Sequence, residues 1–280
     1  MPSLSDDLLL LLDNLIYLKE IDNDQSVKRV LGIAENQIAN GKNPGTGGLE
    51  IEDWKKIINA FNAPENSHLK NYVVQNYVPN DNGMRAAAFV DNADAPTDVN
   101  IVFRGTGSPY EWHDNGEGGY LTETVQQRKA AEYINSLPKE WGNDLTVTGH
   151  SKGGNKAQFV TIVTDRISRC VSFDGQGFSP EFFEKYAKEI AERKDFITSI
   201  SAKSDYVNVL MIPIAGTRLY IDVEGESFIA NHFPHIMLDE NGKLLPMGEE
   251  SDFSKFINDY SMYILMNVTV DSINEILKDL

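Results

Sequence analysis

Apolar residues fall at helical spacing through the first sixty positions of the chain and at strand spacing after that. Leu4, Leu8, Leu11, Leu12 and Leu15 recur every three or four residues behind Ser3 or Ser5 as a cap, which predicts a helix with an apolar stripe. Val27, Leu31, Ala34 and Ile38 predict a second helix, and Ile51, Trp54, Ile57, Ile58 and Phe61 a third. Between them, Asn40 to Gly48 carries no period and reads as a loop. From residue 71 the period drops to two. Stretches 71–78, 84–90 and 99–103 are strand-like, separated by Pro79 to Gly83 and by Asn92 to Asp98.

Strand and helix patterns then alternate. A helix over Val125 to Leu137 is stopped by Pro138, Leu145 to Thr148 is a short β-branched run, and Gly154 to Val160 continues as a helix. Ser168 to Asp174 reads as a strand, Ser179-Pro180 as the capped start of a helix running to about Arg193, and Phe196 to Ala202 as the next strand. Arg218 to Val223 alternates, Phe228 to Leu238 is a mostly apolar segment, and two helices close the chain over 251–280. This alternation predicts an α/β protein with a mostly parallel sheet covered on both faces and an N-terminal helical extension. We expect one domain over 1–280, with a helical region at 1–62, a core at 70–240 and terminal helices at 251–280.

With 280 residues and a hydrophobic fraction of 41%, the chain is long and apolar enough for a sizeable core. Its formal net charge of −17 disfavours nucleic acid and anionic membrane surfaces. The N-terminus has Asp6-Asp7 where a secretory signal needs Lys or Arg, and its leucine run breaks at Asp13-Asn14. No stretch has the ~18 apolar residues of an integral membrane segment. The single cysteine, Cys170, lies in an apolar strand and suits a reducing compartment, so cytoplasmic residence is expected. Gly41-Lys42 opens the glycine-rich loop after a helix, the reverse of a phosphate-binding loop. No cluster has metal-ligand spacing, and neither metal nor cofactor is expected.

Candidate chemistry centres on Gly149-His150-Ser151-Lys152-Gly153, a G-x-S-x-G pentapeptide between a predicted strand and a predicted helix. A turn this sharp needs glycines at its flanks and exposes the serine hydroxyl at the strand end, ahead of a helix N-terminus. A serine hydroxyl needs a base, and the base an orienting acid. In α/β-hydrolases these follow in the order Ser, acid, His, which leaves His232 and His235 of the five histidines. His232 is favoured because Phe233-Pro234 extends the backbone behind it, with His235 as the alternative base. For the acid, Asp174, Asp205 and Asp222 are candidates. Asp205 is favoured because it closely follows a buried strand, where parallel sheets carry their sites. The backbone N–H of Lys152 supplies one oxyanion donor, and Thr106, after the strand ending at Phe103, is a candidate for the second.

The run Asn100-Ile101-Val102-Phe103-Arg104-Gly105-Thr106 resembles the oxyanion strand of class 3 lipases, in which Phe-Arg-Gly-Ser/Thr precedes Gly-His-Ser-x-Gly-Gly. With Trp112 to Asn115, Gly149 to Gly154, Phe173 to Phe178 and Ser201 to Asp205, the chain is similar over roughly residues 70 to 240 to a bacterial group of lipase class 3-like α/β-hydrolases. The resemblance implies the α/β-hydrolase fold, with Ser151 as nucleophile, Asp205 as acid and a histidine of the 232–235 loop as base. It also implies Thr106 and Lys152 as oxyanion donors. Pro109 to Tyr120, with Tyr110, Trp112 and Tyr120, stands where those lipases carry a lid. The expected activity is a serine esterase or lipase-like hydrolase acting on a small-molecule or lipid acyl ester. The alternatives are a binding protein without turnover, or an acyltransferase or peptidase using the same serine.

Overall fold

The computed structural model describes residues 3–107, 121–223 and 230–267. Its centre is one eight-stranded sheet: β1 (Val73–Asp81), β2 (Met84–Val90), β3 (Val99–Phe103), β4 (Leu145–His150), β5 (Ile167–Phe173), β6 (Ile197–Ala202), β7 (Thr217–Ile221) and β8 (Met247–Gly248). The strands lie side by side in chain order. From β3 to β7 each pair is parallel, whereas β1, β2 and β3 pair antiparallel at one edge and β8 pairs antiparallel with β7 at the other. This is the mostly parallel sheet that the strand and helix alternation predicts, in the α/β-hydrolase fold that the resemblance implies.

Strand order has a direct consequence for the layers. When successive parallel strands are neighbours and every crossover is right-handed, all crossovers fall on the same face of the sheet. Accordingly α4 (Val125–Ser136), α5 (Lys152–Val163), α6 (Pro180–Lys185) and α7 (Ala187–Arg193) pack on one face, against Ala86, Ala88, Ile101, Val147 and Cys170. The other face needs cover from elsewhere, and α1 (Asp6–Leu15), α2 (Val27–Ala39) and α3 (Ile51–Asn62) supply it, against Ala87, Phe89, Val102, Val171 and Ile200. The N-terminal helical extension is therefore one of the two layers over the sheet.

Helix α1 is buried around its whole circumference, because strands β3 to β5 lie beneath it while α3 and the turn over Pro234–Met237 lie above. The sequence stripe captures only part of this, since Leu9 and Leu10 are buried as fully as Leu8, Leu11, Leu12 and Leu15. Removing these six leucine side chains from water stabilises the fold by on the order of 10 kcal/mol before chain entropy is counted. The interior position also places Asp13 and Asn14 out of water.

Elsewhere the structure refines the expected elements. The helix expected from Ser179 to Arg193 is two, because Tyr186 leaves helical geometry (φ −109°, ψ 24°) and caps both pieces. The segment 228–238 is described from residue 230, where it forms two short 3₁₀ turns, Ala230–His232 and Pro234–Met237. Of the terminal helices, α8 (Asp252–Asn267) is described, and residues 268–280 lie outside the described residues, as do the aromatic segment 109–120 and the Trp112 to Asn115 motif. No helix among the described residues is long and apolar enough to cross a membrane.

Register decides what meets what. Phe103 pairs with Gly149, His150 with Phe173, and Phe173 with Ile200. The C-terminal ends of β3, β4, β5 and β6 are thus level, and the residues just beyond them, Arg104 to Thr106, Ser151, Asp174 and Lys203 to Asp205, collect along one edge of the sheet.

Candidate active site

Strand β4 ends in a bend so tight that Ser151 adopts φ 58°, ψ −125°, in a region that non-glycine residues rarely occupy and that costs roughly 1–3 kcal/mol. The surrounding hydrogen bonds hold it there: the Ser151 N–H donates to the Phe173 carbonyl at 2.8 Å, and the Asn155 N–H to the Ser151 carbonyl at 3.1 Å. Helix α5 begins at the next residue. A Cβ on Gly149 would collide with the carbonyl of Gly153, and one on Gly153 with the carbonyl of Phe103, so the elbow closes and packs against β3 only because both are glycine. At the end of β3, a Cβ on Gly105 would meet the Tyr17 hydroxyl and the His150 carbonyl and would stand 3.3 Å from the Ser151 Cβ. The absence of a side chain there draws the β3 end against the elbow, with Thr106 next in the chain. Lys152 is the first residue of α5 and is fully buried.

His232, in the first 3₁₀ turn, reaches back over the elbow. Its Nε2 lies 2.8 Å from the Ser151 Oγ and its Nδ1 2.6 Å from the Asp205 Oδ1. Asp205 is almost wholly buried, and its second oxygen is fully used: Oδ2 accepts from the backbone N–H of Val207 at 2.9 Å, the backbone N–H of Asn208 at 2.7 Å and the Asn208 Nδ2 at 2.9 Å. With Oδ2 committed, Oδ1 is left to accept from His232 Nδ1–H. Nε2 then carries the lone pair that faces the serine hydroxyl. The Tyr206 ring packs against the imidazole, 5.4 Å between centroids.

The remaining candidates lie apart from this line. His235 turns the other way, with Nε2 3.3 Å from Asp53 on α3; burial lowers its pKa, and the neighbouring Asp53 opposes that shift. Asp222 follows β7 and pairs with Lys203 at 3.1 Å. Asp174, at the end of β5, is fully buried beside the serine loop without touching Ser151 or His232 nitrogens at hydrogen-bond distance. Its Oδ1 accepts from the Ala202 N–H at 2.8 Å and lies 3.4 Å from Asn208 Nδ2, while Oδ2 faces His150 Nε2 at 3.9 Å. Burial, then the neighbouring Asp205 charge, holds the Asp174 carboxyl well above the usual carboxylate range. Burial, then the neighbouring His232, holds the His150 imidazole well below its usual value, so His150 is neutral at physiological pH.

Three contributors escape a reading of the sequence alone. Asn208 ties both carboxylates together, and the only local signal for it is the Asp205-x-x-Asn208 spacing of a side-chain-capped turn. His150 is a member of the pentapeptide whose ring packs 4.8 Å from that of His232. Tyr17, from the N-terminal layer, brings its hydroxyl to 3.4 Å from the His150 Nδ1, and nothing near residue 17 signals that.

A serine on a strained strand-to-helix elbow, at the C-terminal edge of a mostly parallel sheet and facing a histidine from a late loop, is the arrangement of the α/β-hydrolase fold. The chain belongs to the Mbeg1-like family, whose model matches residues 63–268. No curated protein matches it. Among solved structures it is similar to the Rhizomucor miehei lipase in its propeptide complex (13% identity, 66% of this chain and 74% of that chain, TM-score 0.40). It is also similar to the M37 lipase (14% identity, 74% and 70%, TM-score 0.42) and to a mutant form of MDLA from Penicillium cyclopium (13% identity, 59% and 68%, TM-score 0.41).

Proposed function

We propose that the protein is a serine hydrolase that cleaves an acyl ester, small-molecule or lipid, with Ser151 as nucleophile, His232 as base and Asp205 as the acid that orients it. The observation that carries this reading is the continuous line Asp205 Oδ1, His232 Nδ1, His232 Nε2, Ser151 Oγ, with gaps of 2.6 and 2.8 Å. Both are within reach for proton transfer without rearrangement. As Ser151 Oγ attacks the carbonyl carbon, its proton passes to His232 Nε2 and the Asp205 carboxylate stabilises the imidazolium. The carbonyl oxygen takes up negative charge in front of α5, where the backbone N–H of Lys152 and a donor from Thr106 receive it. The imidazolium then protonates the leaving alcohol, and water, deprotonated by the same nitrogen, releases the acid from the acyl-enzyme.

In this reading the chain works as one unit, N-terminal helices included, in a reducing compartment such as the cytoplasm, to which a buried lone thiol at Cys170 is suited. A fluorophosphonate probe tests it. Wild-type protein should label stoichiometrically and Ser151→Ala should not label at all. Absence of labelling in folded wild type would overturn the enzyme reading in favour of a binding protein. A panel of p-nitrophenyl esters from short to long chain then gives the acyl preference, and product analysis with added alcohols or amines separates hydrolysis from acyl transfer.

A further inference from the structure

Beside the serine, His150 Nε2 and Asp174 Oδ2 face each other across 3.9 Å, both buried and neither hydrogen-bonded to any described residue. With His150 Nδ1 3.4 Å from the Tyr17 hydroxyl, Nε2 is the ring nitrogen turned toward the Asp174 carboxyl. Two polar atoms left without a partner in a dry site mark a place where a further group can bind between them. The third side of the gap is His232, and one nitrogen or oxygen from each of the three residues lies within 4.8 Å of the other two.

We infer that His150, Asp174 and His232 form a site for a divalent transition-metal ion of the zinc type, and that its occupation takes His232 away from Ser151 and Asp205. Two imidazoles and one carboxylate are a donor set for zinc, cobalt or nickel rather than for calcium or magnesium. The spacing is close to what such an ion requires. Bonds of about 2.1 Å at a tetrahedral angle put donor atoms about 3.4 Å apart, so a contraction of roughly 0.5 Å closes the His150 to Asp174 pair on the ion. His232 is the more exposed member, and its ring completes the set by a small swing. A second carboxyl group lies close by: Asn208 Nδ2 is 2.9 Å from Asp205 Oδ2 and 3.4 Å from Asp174 Oδ1, and an ion bound here would take the place of the proton that burial holds on Asp174. The Tyr17 hydroxyl supplies the outer partner that ligating imidazoles ordinarily have. Both nitrogens of His232 are engaged in the serine line, so either one given to the metal breaks it. Binding itself is independent of the proposed hydrolysis; the inhibition that follows from binding rests on it.

Titration of the full chain with Co²⁺ tests the site. One equivalent should produce the visible bands of a low-symmetry, four-coordinate ion, Zn²⁺ should displace them, and Asp174→Asn and His150→Gln should each weaken binding at least about tenfold. Tyr17→Phe should weaken it less. Melting curves without metal show whether each variant is folded, and the wild-type spectrum decides the matter even where one is not. Absence of the bands in wild type, or equal affinity in a folded Asp174→Asn or His150→Gln protein, overturns the site and leaves a shared proton or a water in the gap. Zn²⁺ should also block fluorophosphonate labelling of wild type, with chelator restoring it. Bands without labelling in any condition would keep the metal site and sink the hydrolase reading; labelling without bands would do the reverse.

Discussion

Replacing Asp205 by Asn separates the orienting role proposed for this carboxylate from its structural one. The asparagine Oδ1 can take over the three donors that Asp205 Oδ2 now accepts, from Val207 N–H, Asn208 N–H and Asn208 Nδ2. The amide NH₂ then points at His232 Nδ1, 2.6 Å away in the native pair. Nδ1 must become the acceptor, the ring proton moves to Nε2, and Ser151 Oγ faces a donor where it needs a base. A wrong tautomer at a serine nucleophile costs about 10⁴ in acyl transfer, or about 5.5 kcal/mol of transition-state stabilisation. Stability should fall far less than in Asp205→Ala, because the three donors from Val207 and Asn208 keep an acceptor. Asp205→Ala differs: it strands three buried donors at about 1–3 kcal/mol each, on the order of 5 kcal/mol together. For a chain of this size that corresponds to a fall in Tm of roughly 10–20 °C. Stopped-time labelling with a fluorophosphonate gives the first quantity and scanning calorimetry the second. An Asp205→Asn protein that labels within tenfold of wild type would refute the assignment of Asp205. One that melts as low as Asp205→Ala would refute the accounting of its hydrogen bonds.

Other outcomes follow from the same geometry. His232→Ala should lower the labelling rate by at least about 10³-fold, whereas His235→Ala, which removes the 3.3 Å pairing with Asp53 and the ring contact with Phe233, should label within tenfold of wild type; equal effects would show that the loop was misread. Asp13 is fully buried, bonded on one oxygen to the Thr148 hydroxyl at 2.8 Å, and burial raises its pKa well above the usual carboxylate value. The native state therefore holds a proton that the unfolded chain has lost, and stability falls as pH rises from about 4 toward the folded pKa, by up to about 1.4 kcal/mol per pH unit. Asp13→Asn should remove that slope, so parallel stability curves for variant and wild type between pH 5 and pH 8 would contradict it. Burial pushes the Cys170 thiol up to about 12, so at pH 8 only about one part in 10⁴ is thiolate. Ellman's reagent should find no reactive thiol in the native protein and one in guanidinium; fast native reaction would mean that β5 is accessible.

The sheet was legible in the sequence because its strands are short apolar runs set off by turn residues, and the elbow because a bend at Ser151 cannot be made without glycines. That Asp205 and His232 meet at Ser151 was foreshadowed by chain order and by their positions after a buried strand and before Pro234. Telling Asp205 from Asp174 on physical grounds is harder, since both end neighbouring strands. What separates them is a turn that aims one carboxylate across the elbow, held by Asn208, while the other lies beneath it against His150. The split of the 179–193 helix at Tyr186 depends on one residue's backbone angles, and β8 is too short to show a period. The circumferential burial of α1 was hidden for a different reason. It depends on strand order, which is a property of the assembled sheet and has no local signature.

Helix α1 touches the chemistry through Asp13, bonded to Thr148 on β4, and through Tyr17 just beyond its end, yet both residues precede the segment that the family shares. A polypeptide trimmed to 63–268 would keep Ser151, His232 and Asp205 and would bare the underside of β3 to β6 to solvent. Such a fragment should aggregate or bind hydrophobic dyes instead of folding. The first sixty residues act in this sense as a floor, and the sequence around Ser151 stays where it is only while that floor is in place.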